Sequence, residues 1–371
     1  MKIVTYADDC TIYSSDPKIT PACHRLNAYL AVLSDWLTDR RLVLSAEKST
    51  ASLFTCFNRE FSTTLPITMA GAVIPTVNRP KLLGVVFDNS MTFCSHSDHV
   101  RKKVGARNNI LKALSGTSWG QQKEVLLMTY KAMSQSVLSY AAPIWSPCLS
   151  HSRLDELQRA QNAALRCVTG CTLMSDPDHL HQETKVLPVR RHNDLLSKQF
   201  LLACHRDTHV NHPLVLRPPP SRHIKNSLSL EYDVTDLVPD RGLDLAAYRR
   251  GAVSLHTEAV RSAIGSYAPN KILGAPPPEV HKDERLLPRR TRTSLAQLRS
   301  GYCKLLNSYM SRIDGAVADR CPDCGGTPHT TNHLFNCPIK PTTLSVVSLW
   351  RDPAAAADFL GLSTDPFADD E

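Results

Sequence analysis

Long apolar runs are absent from this chain of 371 residues, and so is the pattern of a secretory signal. No stretch of roughly 18 consecutive apolar residues occurs, so no membrane-spanning helix is expected. Asp8 and Asp9 interrupt the apolar residues near the N-terminus, where a signal peptide needs them uninterrupted. Twelve cysteines are present, but most stand alone, unlike those of short, cysteine-dense secreted scaffolds. We therefore expect a reduced intracellular protein that does not enter a membrane.

The excess of basic residues is mild but unevenly distributed. The net charge is +8, and hydrophobic residues make up 42% of the chain, which excludes a disordered polar sequence. Six Arg and Lys residues and no acid lie between Arg285 and Lys304, and seven lie between His99 and Lys131 beside Glu124 alone. Such clusters are typical of a protein whose partner carries phosphates.

The hydrophobic pattern predicts an α+β region followed by a helical one. Residues 2–13 alternate around a break and predict a β-hairpin, and a leucine repeat predicts a helix over about 22–39. Short β-like stretches follow near 50–56, 67–69, 72–77 and 82–87. From about residue 97 the spacing is helical, with one helix closed by Gly170, another over 190–206 and a last one around 291–312. Pro-rich stretches at 217–220 and 275–278 predict linkers.

Adjacent carboxylates occupy the break in the first hairpin. Asp8 and Asp9 would project from the end of a small sheet, where oxygen ligands can hold Mg²⁺ against substrate phosphates. Two aspartates also simply favour a turn, which is the common explanation for an isolated pair.

Three motifs occur in the order shown by reverse transcriptases of non-LTR (LINE-type) retrotransposons. Tyr-Ala-Asp-Asp at 6–9 resembles their catalytic motif between two strands. Leu-Val-Leu-Ser-Ala-Glu-Lys-Ser at 42–49, after an amphipathic helix, resembles the next motif of the palm. Lys-Leu-Leu-Gly-Val at 81–85 resembles the hairpin that grips the primer terminus. Further segments at 137–145, 161–166 and 187–188 resemble the jockey-like branch of that family.

The resemblance implies roles for particular residues. Asp8 and Asp9 would be catalytic Mg²⁺ ligands, with Tyr6 beside them and Lys48 near the incoming nucleotide. Leu83 and Gly84 would form the primer grip. Taken singly, Lys48 is an ordinary surface lysine and the Leu-Gly turn an ordinary hairpin. The ordered set of three motifs favours the functional interpretation.

Basic residues on the first helix after the palm are candidates for contacts with the template–primer backbone. A merely solvated face explains them as well. The residues are Arg101, Lys102, Lys103 and Arg107.

A Cys/His cluster lies near the C-terminus. Cys321, Cys324, His333 and Cys337 have the types and spacing that close a tetrahedral, structural Zn²⁺ site. His329 is a rival ligand, but it would leave seven residues before the next cysteine, so His333 is preferred. The segment resembles the C-terminal CCHC segment of LINE-type polyproteins. The adjacent basic run, with Arg289, Arg290, Arg292 and Arg299, predicts RNA or target-DNA binding.

We therefore expect an α+β fold in five segments. They are the C-terminal part of a reverse-transcriptase palm (1–92), a mostly α-helical thumb (93–216), a linker and helical connection (217–290), a basic helix with the zinc-binding segment (291–340) and a tail (341–371).

The resemblance implies RNA-directed DNA polymerase activity with Mg²⁺, an RNA template, a DNA primer or target and dNTPs, in a nuclear or cytoplasmic ribonucleoprotein. The palm's third aspartate, the fingers and the endonuclease do not appear in this sequence, so we expect an N-terminally truncated element. The alternative is a nucleic-acid-binding remnant without polymerase activity.

Overall fold

The computed structural model describes residues 1–116, 120–216, 231–240 and 242–364. It contains two compact units, Met1–His96 and Ser97–Glu371. The boundary between the units lies near residue 96; the expected division into a palm (1–92) and four later segments stays a prediction. The predicted linker at 217–220 and the end of the predicted tail lie outside the described residues.

The first unit begins with the predicted hairpin. Strands β1 (Lys2–Tyr6) and β2 (Asp9–Tyr13) pair antiparallel, with Tyr6 opposite Asp9. Only Ala7 and Asp8 stand between them, and Ala7 adopts a left-handed conformation with φ of 52°. A two-residue connection of this kind needs positive φ because the strands themselves twist right-handed. Both faces of β1 are exposed.

Helix α1 (Ile19–Thr38) and two further hairpins complete the first unit. The hairpins are β3 (Thr68–Met69) with β4 (Ala72–Val73), and β5 (Lys81–Leu82) with β6 (Val85–Val86). Asn27 on α1 ties the helix to the start of β3, because its side chain donates to Pro66 O (2.8 Å) and accepts from Thr68 N (3.0 Å).

The predicted strand at 50–56 is wrong. Only one isolated bridge, between Ala51 and Thr76, forms there. Side chains satisfy part of this backbone in place of a neighbouring strand: Asn89 Nδ2, for example, donates to Leu53 O (2.8 Å). The segment still contributes to the core, in which Leu53 packs beside Leu65 and Ile67.

The second unit is built from helices. Its elements are α2 (Cys94–Ala113, which starts just before the unit), α3 (Lys123–Tyr130), α4 (Ser136–Ser139), α5 (Ala142–Trp145), α6 (His151–Thr169), α7 (Pro177–Thr184), α8 (Val189–Cys204), α9 (His212–Val215), α10 (Leu245–Ser266), α11 (Arg289–Ser300), α12 (Asn307–Met310), α13 (Thr331–Leu334), α14 (Ser348–Arg351) and α15 (Pro353–Phe359). A π-helical turn, Lys131–Gln135, joins α3 to α4. None of the described helices is long and apolar enough to cross a bilayer.

Two of the predicted helix ends are confirmed and one is wrong. Gly170 ends α6 in the left-handed conformation, and α8 closely matches the predicted helix over 190–206. The helix predicted around 291–312 ends instead at Ser300, because Gly301 adopts a φ of 75° and its amide bonds back to Leu298 O (3.0 Å). Such a glycine terminates a helix at its C-terminal end.

Helix α11 lies between two buried clusters of the second unit. Ala296 packs with Leu126, Leu165 and other residues of α2, α3, α6 and α7. Leu295 and Leu298 pack instead with the C-terminal segment, which includes Phe335 and Trp350. Both sides of α11 are therefore covered by protein, and three of its arginines are buried as a result.

Candidate functional site

The carboxylate pair stands at the exposed end of the first hairpin. Asp8 occupies the turn and Asp9 begins β2, and both side chains are exposed. Tyr6 is 67% exposed and pairs directly with Asp9, so these two side chains share one face of the sheet. Two carboxylates and a phenol thus lie at one accessible end of the hairpin, where carboxylate oxygens are available to a cation.

Lys48 and the Leu83-Gly84 turn belong to the same compact unit. Lys48 is exposed in a turn that is closed by a hydrogen bond from Ser49 Oγ to Ser45 O (2.7 Å). Leu83 and Gly84 form the two-residue turn between β5 and β6, with φ of 44° and 86°. Positive φ at both positions is typical of a type I′ turn, and it is unfavourable for a leucine. Leu83 is 47% exposed at the tip.

Two of the four basic residues predicted on helix α2 to bind nucleic acid already have partners within the protein. Arg101 lies near Glu156 (3.6 Å) and Asp98 (3.9 Å), and the Arg107 guanidinium donates to the Met133 carbonyl. Lys102 and Lys103 are exposed and take part in none of the ion pairs formed by the described residues. They are the better candidates on this helix for contacts with a phosphate backbone.

The arginines predicted to bind nucleic acid on α11 require a correction. Arg289 and Arg292 are each 5% exposed and Arg299 is 0% exposed, whereas Arg290 is exposed. Because both sides of α11 are covered by protein, the three buried guanidinium groups cannot reach a nucleic acid in this conformation. Only Arg290 remains a candidate for such contacts.

Arg299 is the centre of a buried ion cluster. Its guanidinium binds Glu183 (Oε1, 3.1 Å), the carboxylate of Glu284 and the carbonyl of Leu349 (2.6 Å). Lys123 also reaches Glu183 Oε2 (2.8 Å). Burial by itself would raise the pKa of Glu183, but the charges of Lys123 and Arg299 outweigh burial and hold that pKa far below its usual value. Arg292 Nε and Lys123 Nζ each also lie 3.9 Å from Glu284, so three cations surround the two buried carboxylates.

The other two buried arginines hold helix ends. Arg292 forms a two-pronged pair with Glu124 at the start of α3 (2.6 and 2.8 Å). Arg289 donates to the carbonyls of Cys167 (2.9 Å) and Val168 (3.3 Å), which lack partners of their own in the last turn of α6. Burial, reinforced by the charge of Arg292, lowers the pKa of Arg289 to about 10. These arginines therefore join α11 to α3 and α6.

The Cys/His cluster comes together as its spacing predicts. The ligand atoms of Cys321, Cys324, His333 and Cys337 all lie within 4.8 Å of one another. The sulfurs of Cys321 and Cys337 are 3.9 Å apart, and Cys324 Sγ lies 3.3 Å from His333 Nε2. Around tetrahedral Zn²⁺, the usual bond lengths place neighbouring sulfurs about 3.8 Å apart, and sulfur and nitrogen about 3.6 Å apart. The donor set fits a zinc ion.

Local backbone geometry explains this arrangement. Gly325 turns the chain with φ of 71°, and its amide bonds to Cys321 O (2.9 Å). A Cβ on Gly326 would lie 3.1 Å from the His333 ring, so a larger residue would crowd the cluster. Burial raises the pKa of the Cys321 thiol, but bonds from the Cys324 and Asp323 amides outweigh that effect and lower it to about 7. A thiolate, the form that binds metal, is thereby favoured.

His329 lies outside the cluster. Its Nδ1 accepts from the Asn307 amide (3.0 Å), and its own backbone amide donates to Asp319 Oδ1 (2.8 Å). The ring is nearly buried, at 3% exposure. His329 therefore acts in this structure as a bridge between α12 and the Cys/His loop, and His333 supplies the fourth donor.

Sequence reasoning missed the acidic partners inside the second unit. Glu183 and Glu284 look like ordinary surface residues in the sequence, and Glu183 lies 116 positions before Arg299. The one available signal was the lack of any acid between Arg285 and Lys304 on a segment with regularly spaced leucines. That pattern fits a nucleic-acid surface, but it fits equally well a buried helix whose acidic partners lie in distant parts of the sequence.

Two curated proteins are similar to about half of the chain. It is 26% identical over 193 residues to the "Probable RNA-directed DNA polymerase from transposon X-element" of Drosophila melanogaster, a match that covers 50% of this chain and 20% of that protein. It is 25% identical over 172 residues to the "RNA-directed DNA polymerase from mobile element jockey" of Drosophila funebris, covering 45% of this chain and 18% of that protein. No protein-family model and no solved structure matches.

These similarities confirm the predicted resemblance to jockey-like elements over part of the chain. The chain spans about a fifth of the length of the curated relatives it matches.

Proposed function

We propose that this chain is the C-terminal part of a reverse transcriptase of a jockey-like non-LTR element, with residues 1–92 as the end of the palm and 93–216 as the thumb. The observation that supports this most is the exposed Tyr-Ala-Asp-Asp hairpin, whose two carboxylates meet at one open edge. The named relatives, both RNA-directed DNA polymerases, support the same reaction class.

In this proposal, Asp8 and Asp9 bind Mg²⁺, which would stabilise the charge that develops on the phosphates during nucleotide transfer. Tyr6, on the face of Asp9, packs beside the primer end. The Leu83-Gly84 turn contacts the primer backbone, because an exposed type I′ tip can approach a strand closely. Lys48 neutralises phosphate charge on the incoming dNTP. Positioning and electrostatics supply the catalysis.

The second unit would hold the nucleic acid and fold around zinc. Lys102 and Lys103 contact the template–primer backbone without reading its sequence. Cys321, Cys324 and Cys337, with His333, bind one Zn²⁺ as a closed structural site, since four protein donors leave no open position for chemistry. RNA, a DNA primer or target and dNTPs are the partners in this proposal.

A nucleic-acid-binding remnant without polymerase activity is the second candidate. In the described part of the chain, Asp8 and Asp9 belong to no group of three or more potential metal ligands; the Cys/His cluster is the one such group. Two-metal chemistry needs a further carboxylate near the pair, and the described residues bring none into a group with Asp8 and Asp9.

Primer extension distinguishes the two candidates. The chain would be assayed for dNTP incorporation on a primed RNA template with Mg²⁺, alone and joined to a fingers and palm segment that carries the third carboxylate. Polymerase function predicts extension by the joined protein that is abolished by Asp8→Asn, whereas Asp16→Asn, outside the pair, leaves it intact. A joined protein that is folded and inactive favours the remnant.

A further inference from the structure

A cavity of about 210 Å³ lies in the second unit, outside the Cys/His cluster. Its walls come from the start of α7, the loop after α10 and the end of α11. The lining includes Asp178, Gln182, Lys271 and Tyr302. A cavity of about 150 Å³ already admits a benzene molecule. The space is therefore sufficient for one planar ring of a ligand.

The walls of this cavity are firmly held. Asp178 Oδ2 accepts from the Ala268 amide (2.9 Å), which ties the loop to α7. Asn270 is buried, and its side chain donates to Arg299 O (3.0 Å) and accepts from Ile272 N (2.9 Å). Gly301 permits this close approach, because a Cβ there would lie 2.7 Å from Ile272. A preformed wall reduces the entropy lost on binding.

Positive charge and an aromatic ring converge at the mouth. Lys271 Nζ lies 3.9 Å from the centre of the Tyr302 ring, and the Arg312 guanidinium lies 6.0 Å from it. Lys271 and Arg312 are exposed, and Tyr302 is partly exposed. Hydrogen bonding from Lys271, together with its charge, lowers the pKa of the Tyr302 hydroxyl. The mouth is therefore suited to an anionic group next to a planar one.

Asp178 and Gln182, both partly exposed, line the α7 side of the cavity. Asp178 keeps one carboxylate oxygen beyond the bond to Ala268, and Gln182 offers an amide that can both donate and accept. A ligand that suits both regions has a planar polar ring with an amino group and, a short distance away, a phosphate. The bases adenine and cytosine within a nucleic-acid strand have this chemistry.

We infer that the second unit binds one unpaired nucleotide of a single strand, with its base in this cavity beside Gln182 and Asp178 and its phosphate on Lys271 and Arg312. The inference rests on the proposed nucleic-acid role of the chain and specifies a contact within it. It also gives the second unit a nucleic-acid surface that does not involve the buried arginines of α11. Unpaired bases buried against aromatic and polar side chains are a general mode of single-strand recognition.

The test measures binding by the full chain, loaded with zinc, without dNTPs. The probe is a fluorescently labelled 12-nucleotide RNA of adenines and cytosines, and fluorescence anisotropy gives its Kd; the same RNA as a duplex is the control. Gln182→Phe fills the cavity without changing charge and should weaken single-strand binding about tenfold. Lys271→Ala should weaken single-strand binding as well. It should also reduce the slope of log affinity against log salt concentration by about one. Lys282→Ala removes an exposed lysine of the same unit that does not line the cavity, and should change little.

Two results would overturn the inference. If Gln182→Phe binds the single strand as the unchanged protein does, no base enters the cavity. If Lys282→Ala weakens binding as much as Lys271→Ala, the contact is general electrostatic attraction. Melting temperature and zinc content identify a misfolded variant, and the exposed Lys271→Ala then decides the matter. Because no polymerisation is measured, failure here leaves primer extension as a separate test of the proposed function.

Discussion

Removing the Arg299 guanidinium should destabilise the second unit strongly. The side chain is 0% exposed, and Glu183 and Glu284 beside it are 2% and 3% exposed. In Arg299→Met, the apolar stem is kept while two buried carboxylates are left with two nearby cations: Lys123, at 2.8 Å from Glu183 and 3.9 Å from Glu284, and Arg292, at 3.9 Å from Glu284 and already paired with Glu124. Breaking a buried ion pair by removing one partner costs about 3–5 kcal/mol, because an uncompensated charge stays in the interior. We expect a loss of this size at pH 7.

This loss is measured by urea denaturation with zinc present. The fluorescence of the buried Trp145 and Trp350 monitors unfolding. Arg299→Met combined with Glu183→Gln removes one carboxylate together with the guanidinium and leaves Glu284 with Lys123 and Arg292, each at 3.9 Å. The double variant should therefore recover a large part of the lost stability.

The dependence on pH tests the same reasoning. In the unchanged protein the pKa of Glu183 is depressed, so its contribution is present above its unfolded value of about 4.5 and is lost as the pH falls through the folded value. Without Arg299 the buried carboxyl protonates more readily, so the variant loses less on acidification. The difference between the two proteins should therefore shrink as the pH falls below about 4.5 toward the folded pKa. A loss below about 1 kcal/mol at pH 7, or a difference that grows on acidification, would contradict a buried ion cluster.

Three further outcomes follow from the structure. Cys324→Ser should reduce zinc content, measured by atomic absorption, whereas His329→Ala should retain one zinc per chain; loss of zinc from His329→Ala would contradict the choice of His333. Gly170→Ala should lower the melting temperature, because a Cβ at φ of 73° would lie 2.4 Å from the Thr293 side chain; unchanged melting would refute this packing of α11. Burial lowers the pKa of His179 in the folded protein. The free energy of unfolding should therefore be highest above the unfolded pKa of about 6.5 and should fall as the pH drops from there through the folded pKa. His179→Gln should make the free energy of unfolding, measured by urea denaturation, depend less on pH.

Features that depend on neighbouring residues were predictable from the sequence. The hairpin at 2–13 needs only two alternating segments and a two-residue turn, and it is confirmed. The Cys/His cluster spans 17 positions, Cys321–Cys337, so closing its loop costs little entropy and its spacing largely determines its shape. The end of α6 at Gly170 likewise depends on one glycine.

Features that depend on distant residues were decided by the tertiary structure. His329 and His333 are similar candidates by spacing, and only the positions of Asn307 and Asp319 assign His329 to hydrogen bonding. The residues lining the proposed nucleotide cavity come from three parts of the chain, and no local pattern relates them.

The arginines of α11 show the physical reason most clearly. In the sequence they form a basic run without a nearby acid, which is the pattern of a nucleic-acid surface. Arg299 meets Glu183 across 116 positions and Arg292 meets Glu124 across 168. A charge is available to a partner only where folding leaves it exposed and unpaired. The sequence shows where positive charge is concentrated, whereas the packing of α11 between two cores buries three of its four arginines and pairs two of them, Arg292 and Arg299, with acids.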